Sequence, residues 1–267
     1  MTIPQFRKKI LSWYKKNRRD LPWRNTKDPY KILVSEVMLQ QTQVTRVILK
    51  YEEFLKAFPD LQSLAKASDK KLLKVWAGLG YWRRARALKE TANIIYKDYK
   101  GKFPKDAEVL ETFPGIGPYT ARALLCFAFQ NKDAFLDTNI RRTYLHFFFP
   151  KRKNISDAEI LLTAQKAVWK KNPREWHYAL FDYGATALKD KKINKRSKHY
   201  AKQSKFEGSF RSFRTKVVNF LLSQKQNRTP KKTVRALLKE SPYPTEKVIA
   251  SLLKDRLIKQ SSTYYSL

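Results

Sequence analysis

The sequence predicts an all-α protein, and three observations lead to that class. Apolar residues recur at helical spacing along most of the chain, cap-forming residues stand at the head of several of these runs, and strand-like alternation is scarce until the end. With 42% hydrophobic residues among 267, the chain is globular and long enough for one large or two modest cores. No internal repeat is evident.

Thr2 and Gln5 form a capping-box signature ahead of the stripe Phe6, Ile10 and Tyr14. "LPWRNTKDPY" is a turn-rich connector. It leads into "KILVSEVMLQQTQV", Lys31 to Val44, read as one helix in which Glu36 has Ile32 at i−4, Leu33 at i−3 and Leu39 at i+3, with Gln40 and Gln43 continuing the same side. A carboxylate against apolar walls has its pKa raised and can donate a proton near neutral pH. On position alone, a partly exposed Glu at a helix edge fits as well. Ser68 suits the N-cap of "DKKLLKVWAG", which Gly78 and Gly80 end, and "YWRRARALKETANIIYKDYK" is a long basic helix.

"LETFPGIGPYTARALL", Leu110 to Leu125, is the most specific segment. A short helix runs into Pro114-Gly115-Ile116-Gly117, and Pro118 suits the first turn of the next helix. Two such glycines let the backbone turn tightly and expose amides that can hold a DNA phosphate at the positive end of a helix. An ordinary helical hairpin using Gly as a turn residue is the plain alternative. Ser156 and Glu159 form another capping box. "KDKKINKRSKHYAKQSKFEGSFRS" then reads as a polar, basic connector, extended in part. Three short helical patterns follow, and "LIKQSSTYYSL" suits two short strands around "QSS". Together they suggest a winged-helix-like module, although a plain helical tail gives a similar pattern.

Lys and Arg number 57 against 23 Asp and Glu, a formal charge of +34. That excess strains a compact fold and points to a polyanionic partner. The basic residues are spread along the chain and no amphipathic terminal helix is evident, so nucleic acid fits better than an acidic membrane. The single cysteine, Cys126, excludes intramolecular disulfides and multi-thiolate metal sites, and suits a small apolar core residue. His146, His177 and His199 lack ligand-like spacing. No signal-like or membrane-length apolar run is present, so a cytoplasmic, nucleoid-associated protein is expected.

The Leu110–Leu125 segment resembles the helix–hairpin–helix of a DNA glycosylase superfamily. "SEVMLQQTQV" narrows the resemblance to adenine DNA glycosylases, and "LPWR", "GLGYWRRAR", "PGIGPYTA" and "LDTNIRR" match further blocks in that family's order. The resemblance covers roughly residues 5–190. It implies a two-lobed helix–hairpin–helix glycosylase core over 1–190, with a six-helix lobe at 27–135 and a second lobe from 1–26 plus 136–190 around a catalytic cleft. A basic connector at 191–210 and the winged-helix-like module at 211–267 complete the expected organisation.

By the same resemblance, Glu36 is the general acid that protonates adenine, and Asp137 stabilises the positive charge that develops on the sugar. Asn139 helps hold this arrangement and Tyr119 lines it. Asp137 and Asn139 also suit the start of a helix, and Tyr119 suits a core. Strand-cleaving relatives carry Lys where Tyr119 stands; a phenol cannot form a Schiff base, so base removal alone is expected. The resemblance makes Gln41 and Tyr81 wedges that fill the gap left by a flipped base, and places Thr42 near the opposing purine. Trp23 and Arg24 match residues beside the base pocket, and Asp182 an acid facing adenine. Trp23 and Tyr81 also suit core aromatics, and Arg24 and Gln41 a solvated surface.

Two departures stand out. Most relatives bind a four-iron cluster through C-x6-C-x2-C-x5-C, and here Leu188, Lys195, Lys198 and Ser204 occupy those places, so no cluster is expected. A monovalent cation on the hairpin's carbonyls is left as an option. The tail is too short for the Nudix-like domain of longer relatives; a winged helix would add DNA contacts through Arg228, Lys231, Lys232 and Arg235, and a solvated helical cap or a protein-docking module fits the segment equally well. The expectation is a monomeric glycosylase excising adenine opposite 8-oxoguanine or guanine in double-stranded DNA. Two alternatives stay open: a same-fold glycosylase with another target (thymine opposite G, or 8-oxoguanine itself), and a non-catalytic binder of distorted DNA.

Overall fold

The computed structural model describes residues 1–201, 204–226 and 228–267. Lys202 and Gln203, in the expected connector, and Asn227, in the expected C-terminal module, lie outside the described residues. The architecture is helical, as expected. In chain order the helices begin with α1 (Ile3–Asn17), α2 (Pro29–Leu39), α3 (Val44–Ala57), α4 (Leu61–Ala65), α5 (Asp69–Trp76) and α6 (Arg83–Lys97). They continue with α7 (Ala107–Glu111), α8 (Pro118–Phe129), α9 (Thr138–Phe148), α10 (Asp157–Ala167) and α11 (Pro173–Asp182). The C-terminal part holds α12 (Phe210–Ser223), α13 (Lys231–Ala236) and α14 (Thr245–Lys254), with strands β1 (Thr229–Pro230), β2 (Lys259–Gln260) and β3 (Tyr264–Ser266). No helix among the described residues is long and apolar enough to cross a membrane.

The chain divides into two compact units. The first comprises Met1–Glu36, Pro104–Thr112 and Ile116–Lys202, and the second Val37–Phe103, Phe113–Gly115 and Gln203–Leu267. This differs from the expected lobe at 27–135, because residues 27–36, 104–112 and 116–135 go with the N-terminal helix. The reason lies in α8, which is buried from Thr120 to Phe127 except at Arg122 and packs against α11. The Phe127 ring stacks on Tyr178 at 4.4 Å, and Arg174 donates to the Phe127 carbonyl at 2.6 Å.

In the first unit the Thr2–Gln5 capping box starts α1 and aims Phe6 into the core, where its ring meets Tyr144, Phe148 and Trp176 at 4.9–5.6 Å. Arg174 also donates to the carbonyls of Arg24 and Thr26, fixing the turn before α2. The front of the expected connector is folded. Asp190 caps a 3₁₀ turn over Lys191–Arg196, Ile193 and Asn194 are buried, and Ile155 forms a parallel bridge with Ser197. The apolar Ile193 is what a reading of the connector as purely polar overlooks.

In the second unit Ser68 caps α5 as expected, and the Phe54 and Trp76 rings meet edge to face at 5.9 Å. The C-terminal residues follow winged-helix order, with a sheet β1-β3-β2 whose pairs are antiparallel. The two strands around "QSS" are β2 and β3, and β1 is a third that the sequence does not announce. This part packs on α5: Lys70 reaches the Gln224 carbonyl, Lys259 lies 3.7 Å from Asp69, and Trp82 Nε1 donates to Thr215 at 3.3 Å. Of the cations expected to face DNA, Arg228 and Lys231 stand over the Tyr264 and Tyr265 rings, while Arg235 pairs with Glu246 at 3.0 Å.

Candidate functional site

The first unit builds a buried acid. Asp28 accepts the Tyr30 amide at 2.8 Å and so starts α2, whose buried Ile32 and Leu33 wall in Glu36 one turn later. Glu36 is only 4% exposed. Tyr119, in the first turn of α8, donates its hydroxyl to Glu36 Oε2 at 2.7 Å. Burial pushes the Glu36 carboxyl up to about 7; the Tyr119 bond and the charge of Arg24 pull it down, and the charge of Asp137 pushes it further up. The Tyr119 phenol, raised by its own burial and by Glu36, stays a neutral donor. The result is a carboxyl able to hold or give a proton near neutral pH.

Asp137 is the N-cap of α9. Its Oδ1 accepts the amides of Asn139 at 2.9 Å and Ile140 at 2.6 Å, and its Oδ2 accepts Asn139 Nδ2 at 3.0 Å. The capping role and the expected site role therefore fall on the same side chain. Burial raises the Asp137 carboxyl from its ordinary value, against the amides of Ile140 and Asn139, which favour the anion. Asn139 is located through its backbone as well. A Cβ on Gly184 would overlap the Asn139 carbonyl, so only glycine lets the π-helical turn Tyr183–Ala187 approach the head of α9 this closely. Arg142 closes the arrangement, donating to the Gly184 carbonyl at 2.6 Å.

Beside these lies an ion cluster. Arg24 donates to both Asp182 oxygens at 2.8 Å, and Arg19 donates through its amide at 3.0 Å and its Nε at 2.6 Å. The Arg24 guanidinium sits over the Tyr178 ring at 4.5 Å, and Trp23 is buried next to it in the sequence. Burial would raise the Asp182 carboxyl, yet the bonds from Arg24 and Arg19 hold it below its ordinary value. Asp182, expected to face a base, lies within this cluster. It is fully buried with both oxygens engaged, and what it offers is a fixed position for Arg24.

Gln41, Thr42, Tyr81 and Gly115 belong to the second unit, and here the helix reading needs a correction. α2 ends at Leu39, Gln41 is left-handed at φ 54°, and Gln43 is the N-cap of α3, so Gln40 and Gln43 do not continue the side of Glu36. Tyr81 is also left-handed, at φ 46°. Non-glycine residues are uncommon there, and both turns are held from one point. Arg84 donates to the carbonyls of Val37, Met38 and Gln40, to Thr42 Oγ1, and to the carbonyls of Leu79 and Gly80, at 2.5–3.3 Å. It caps the end of α2 and ties both turns together.

Of the two hairpin glycines, Gly115 is left-handed at φ 75°, and an added Cβ would lie 2.8 Å from that of Ala87. Thr91 supports it by donating to the Pro114 carbonyl at 2.9 Å. Gly117 is the N-cap of α8, with no side chain to occupy the first amides of that helix. At the positions where the resemblance implies cluster ligands, Leu188 is buried and Lys195, Lys198 and Ser204 are exposed. Neither a hydrocarbon, an ammonium nor a hydroxyl replaces a thiolate, so these residues do not fit such a cluster.

Sequence reasoning missed Arg19, Arg84 and Gly184. Gly184 carried a signal, being a lone glycine inside a helical pattern. The two arginines carried none, since each acts on acceptors distant in sequence or on backbone.

Residues 34–170 match the family model described as "HhH-GPD superfamily base excision DNA repair protein". The chain is 45% identical over 134 residues to the adenine DNA glycosylase of Mycobacterium tuberculosis, covering 50% of this chain and 44% of that protein. It is 38% identical over 194 residues to that of Buchnera aphidicola subsp. Baizongia pistaciae, covering 69% and 53%. It thus spans about half the length of these curated relatives. Among solved structures, a thermostable thymine-DNA glycosylase superposes with a TM-score of 0.65 at 30% identity, covering 69% of this chain and 86% of that one. A non-covalent endonuclease III–DNA complex, at 19% identity and a TM-score of 0.60, shares the fold.

Proposed function

Since the chain belongs to the HhH-GPD superfamily of base excision DNA repair proteins, we propose that it is a monofunctional DNA glycosylase releasing adenine mispaired opposite 8-oxoguanine or guanine. The observation that carries this reading is Glu36, a buried acid raised to about 7 and hydrogen-bonded by Tyr119. Its proton passes to a ring nitrogen of the extruded adenine. The bond between the base and C1′ of the sugar then breaks, its electron pair leaving with the neutralised base. The cation left on the sugar is stabilised by the carboxylate of Asp137, and water adds at C1′ to give an abasic site, its released proton returning to the Glu36 carboxylate. Asn139 and the α9 amides hold Asp137 in place. Tyr119 offers no amine for a Schiff base, so the strand is left intact.

Supporting roles follow the resemblance. Arg24, fixed by Asp182, and Trp23 flank the base; Gln41 and Tyr81 fill the vacated stack, with Thr42 by the opposing purine; Gly115 and Gly117 take a backbone phosphate. The protein works as a monomer on double-stranded DNA in the cytoplasm, with no iron–sulfur cluster. Thymine opposite guanine is the second reading, favoured by the likeness to a thymine-DNA glycosylase over 86% of that chain. Single-turnover base release at fixed salt, from duplexes with A opposite 8-oxoguanine, G, C or T, T opposite G, and 8-oxoguanine opposite C, tests both. Fast adenine release confined to the first two duplexes is expected. Thymine release would install the second reading, and no release from any duplex would leave only a binder.

A further inference from the structure

In the second unit the turn at residues 41–43, the turn at 78–82, the end of the connector and the start of the C-terminal module line a hollow of about 570 Å³. Gln41, Thr42, Tyr81, Phe206, Arg211 and Asn219 are among the residues that line it. We infer that this hollow seats the guanine or 8-oxoguanine left unpaired across from the extruded base, and that Arg211 reads its carbonyl edge. The inference rests on the glycosylase reading above and deepens it. It gives the C-terminal module, which lies outside the matched residues 34–170, a role in specificity.

The chemistry of the lining selects the ligand. Among the described residues, two arginines, Arg46 and Arg211, stand in it with no carboxylate. The Arg211 guanidinium is held over the Tyr81 ring at 5.2 Å and the Phe206 ring at 5.8 Å, and it donates to Tyr81 Oη and the Ser204 carbonyl. Its Nε is buried with no hydrogen-bond partner. A guanidinium carries five N–H donors in a rigid fork, so the second N–H of each terminal nitrogen remains for a ligand after these two bonds. Phe206, half exposed at 50%, leaves a ring available for stacking. A site for phosphate alone has no need of aromatic walls. Rings together with a fork of donors suit a planar heterocycle with acceptors along one edge, and guanine bases present such an edge to arginine.

The position of Arg211 is also informative. It is bonded to Tyr81, the strained residue proposed to enter the duplex, so one side chain links the module to the turn that meets the DNA. A purine seated here would meet the fork and the wedge together.

The test is equilibrium binding of the full chain to duplexes carrying a stable abasic analogue opposite 8-oxoguanine, guanine or cytosine. Wild type should prefer both guanines over cytosine. Arg211→Lys keeps the cation and loses the fork; it should bind the cytosine duplex as wild type does and lose about tenfold or more of the preference. Phe206→Ala should lose preference in the same direction, and melting temperatures near wild type would exclude misfolding. Absence of a preference in wild type, or its survival in Arg211→Lys, would overturn the inference. So would equal weakening on all three duplexes with a shallower salt dependence, which would mark a phosphate contact. Adenine release by wild type, measured in parallel, separates failure of this inference from failure of the proposed reaction.

Discussion

Glu36 and Gln41 are close in sequence and have opposite surroundings. Glu36 lies on regular helix in the first unit, buried, with its chemistry set by a hydroxyl, a neighbouring carboxylate and apolar walls. Gln41 is exposed, on left-handed backbone in the second unit, and its turn is set by a guanidinium bonded to main-chain carbonyls. Position is imposed through side chains in one case and through the backbone in the other. The first arrangement should fail when a functional group changes at constant shape, and the second when geometry changes at constant charge.

The sharpest way to break this contrast is Glu36→Gln. The amide keeps the shape and can accept the Tyr119 hydroxyl, but it has no proton to give. Single-turnover base release should fall a thousandfold or more while duplex affinity stays near wild type; the general-acid contribution is typically on the order of 10²–10⁴. Normal turnover would end the assignment. Next comes Gly184→Ala, which leaves every acid in place and displaces Asn139. A shift of about 1 Å in a catalytic group can cost on the order of 10²-fold, and a loss of that size in kcat is expected with Glu36 untouched.

For the second unit the corresponding change is Arg84→Lys, which keeps the charge and removes the fork. About a tenfold loss of base release is expected. Unfolding should be easier by about 1–3 kcal/mol, because carbonyls at the end of α2 lose their donor. Fluorescence of 2-aminopurine at the target position would show whether extrusion is what suffers. An unchanged variant would mean that the two turns hold themselves.

The smallest effect is in pH. Release should fall about tenfold per unit above about pH 7 as Glu36 loses its proton, and fall again at lower pH as Asp137, whose carboxyl burial raises, takes one up. Tyr119→Phe removes the bond that lowers the Glu36 pKa, so the descending limb should move to higher pH. Stability follows the same sign. A carboxyl raised in the fold from 4.5 to about 7 contributes fully below 4.5, and that contribution is lost as pH rises through 7. Glu36→Gln should therefore melt higher than wild type at pH 8, by about 3 kcal/mol at most, with the gap closing towards pH 5.

What could be read in advance was local. The caps at Thr2, Ser68 and Ser156, the glycine hairpin before Pro118, and the apolar wall around Glu36 each depend on residues a turn apart, so periodicity and capping rules reach them. The end of α2 was misread because apolar spacing continues through Val44, while the chain breaks at Gln41 under tertiary ties to Arg84. The ion pairs of Asp182 were not legible because Arg19 and Arg24 lie far away in sequence. The division into units depended on the packing of α8 against α11, which no local pattern records.

The left-handed conformations of Gln41 and Tyr81 bear on how this protein can be improved. Each such residue costs on the order of 1 kcal/mol or more, and glycine would sit there without strain. A search for heat-resistant variants would be drawn to both positions. It would gain stability there by deleting the two side chains proposed to enter the duplex, so tolerance of heat and recognition of damage compete at the same two residues.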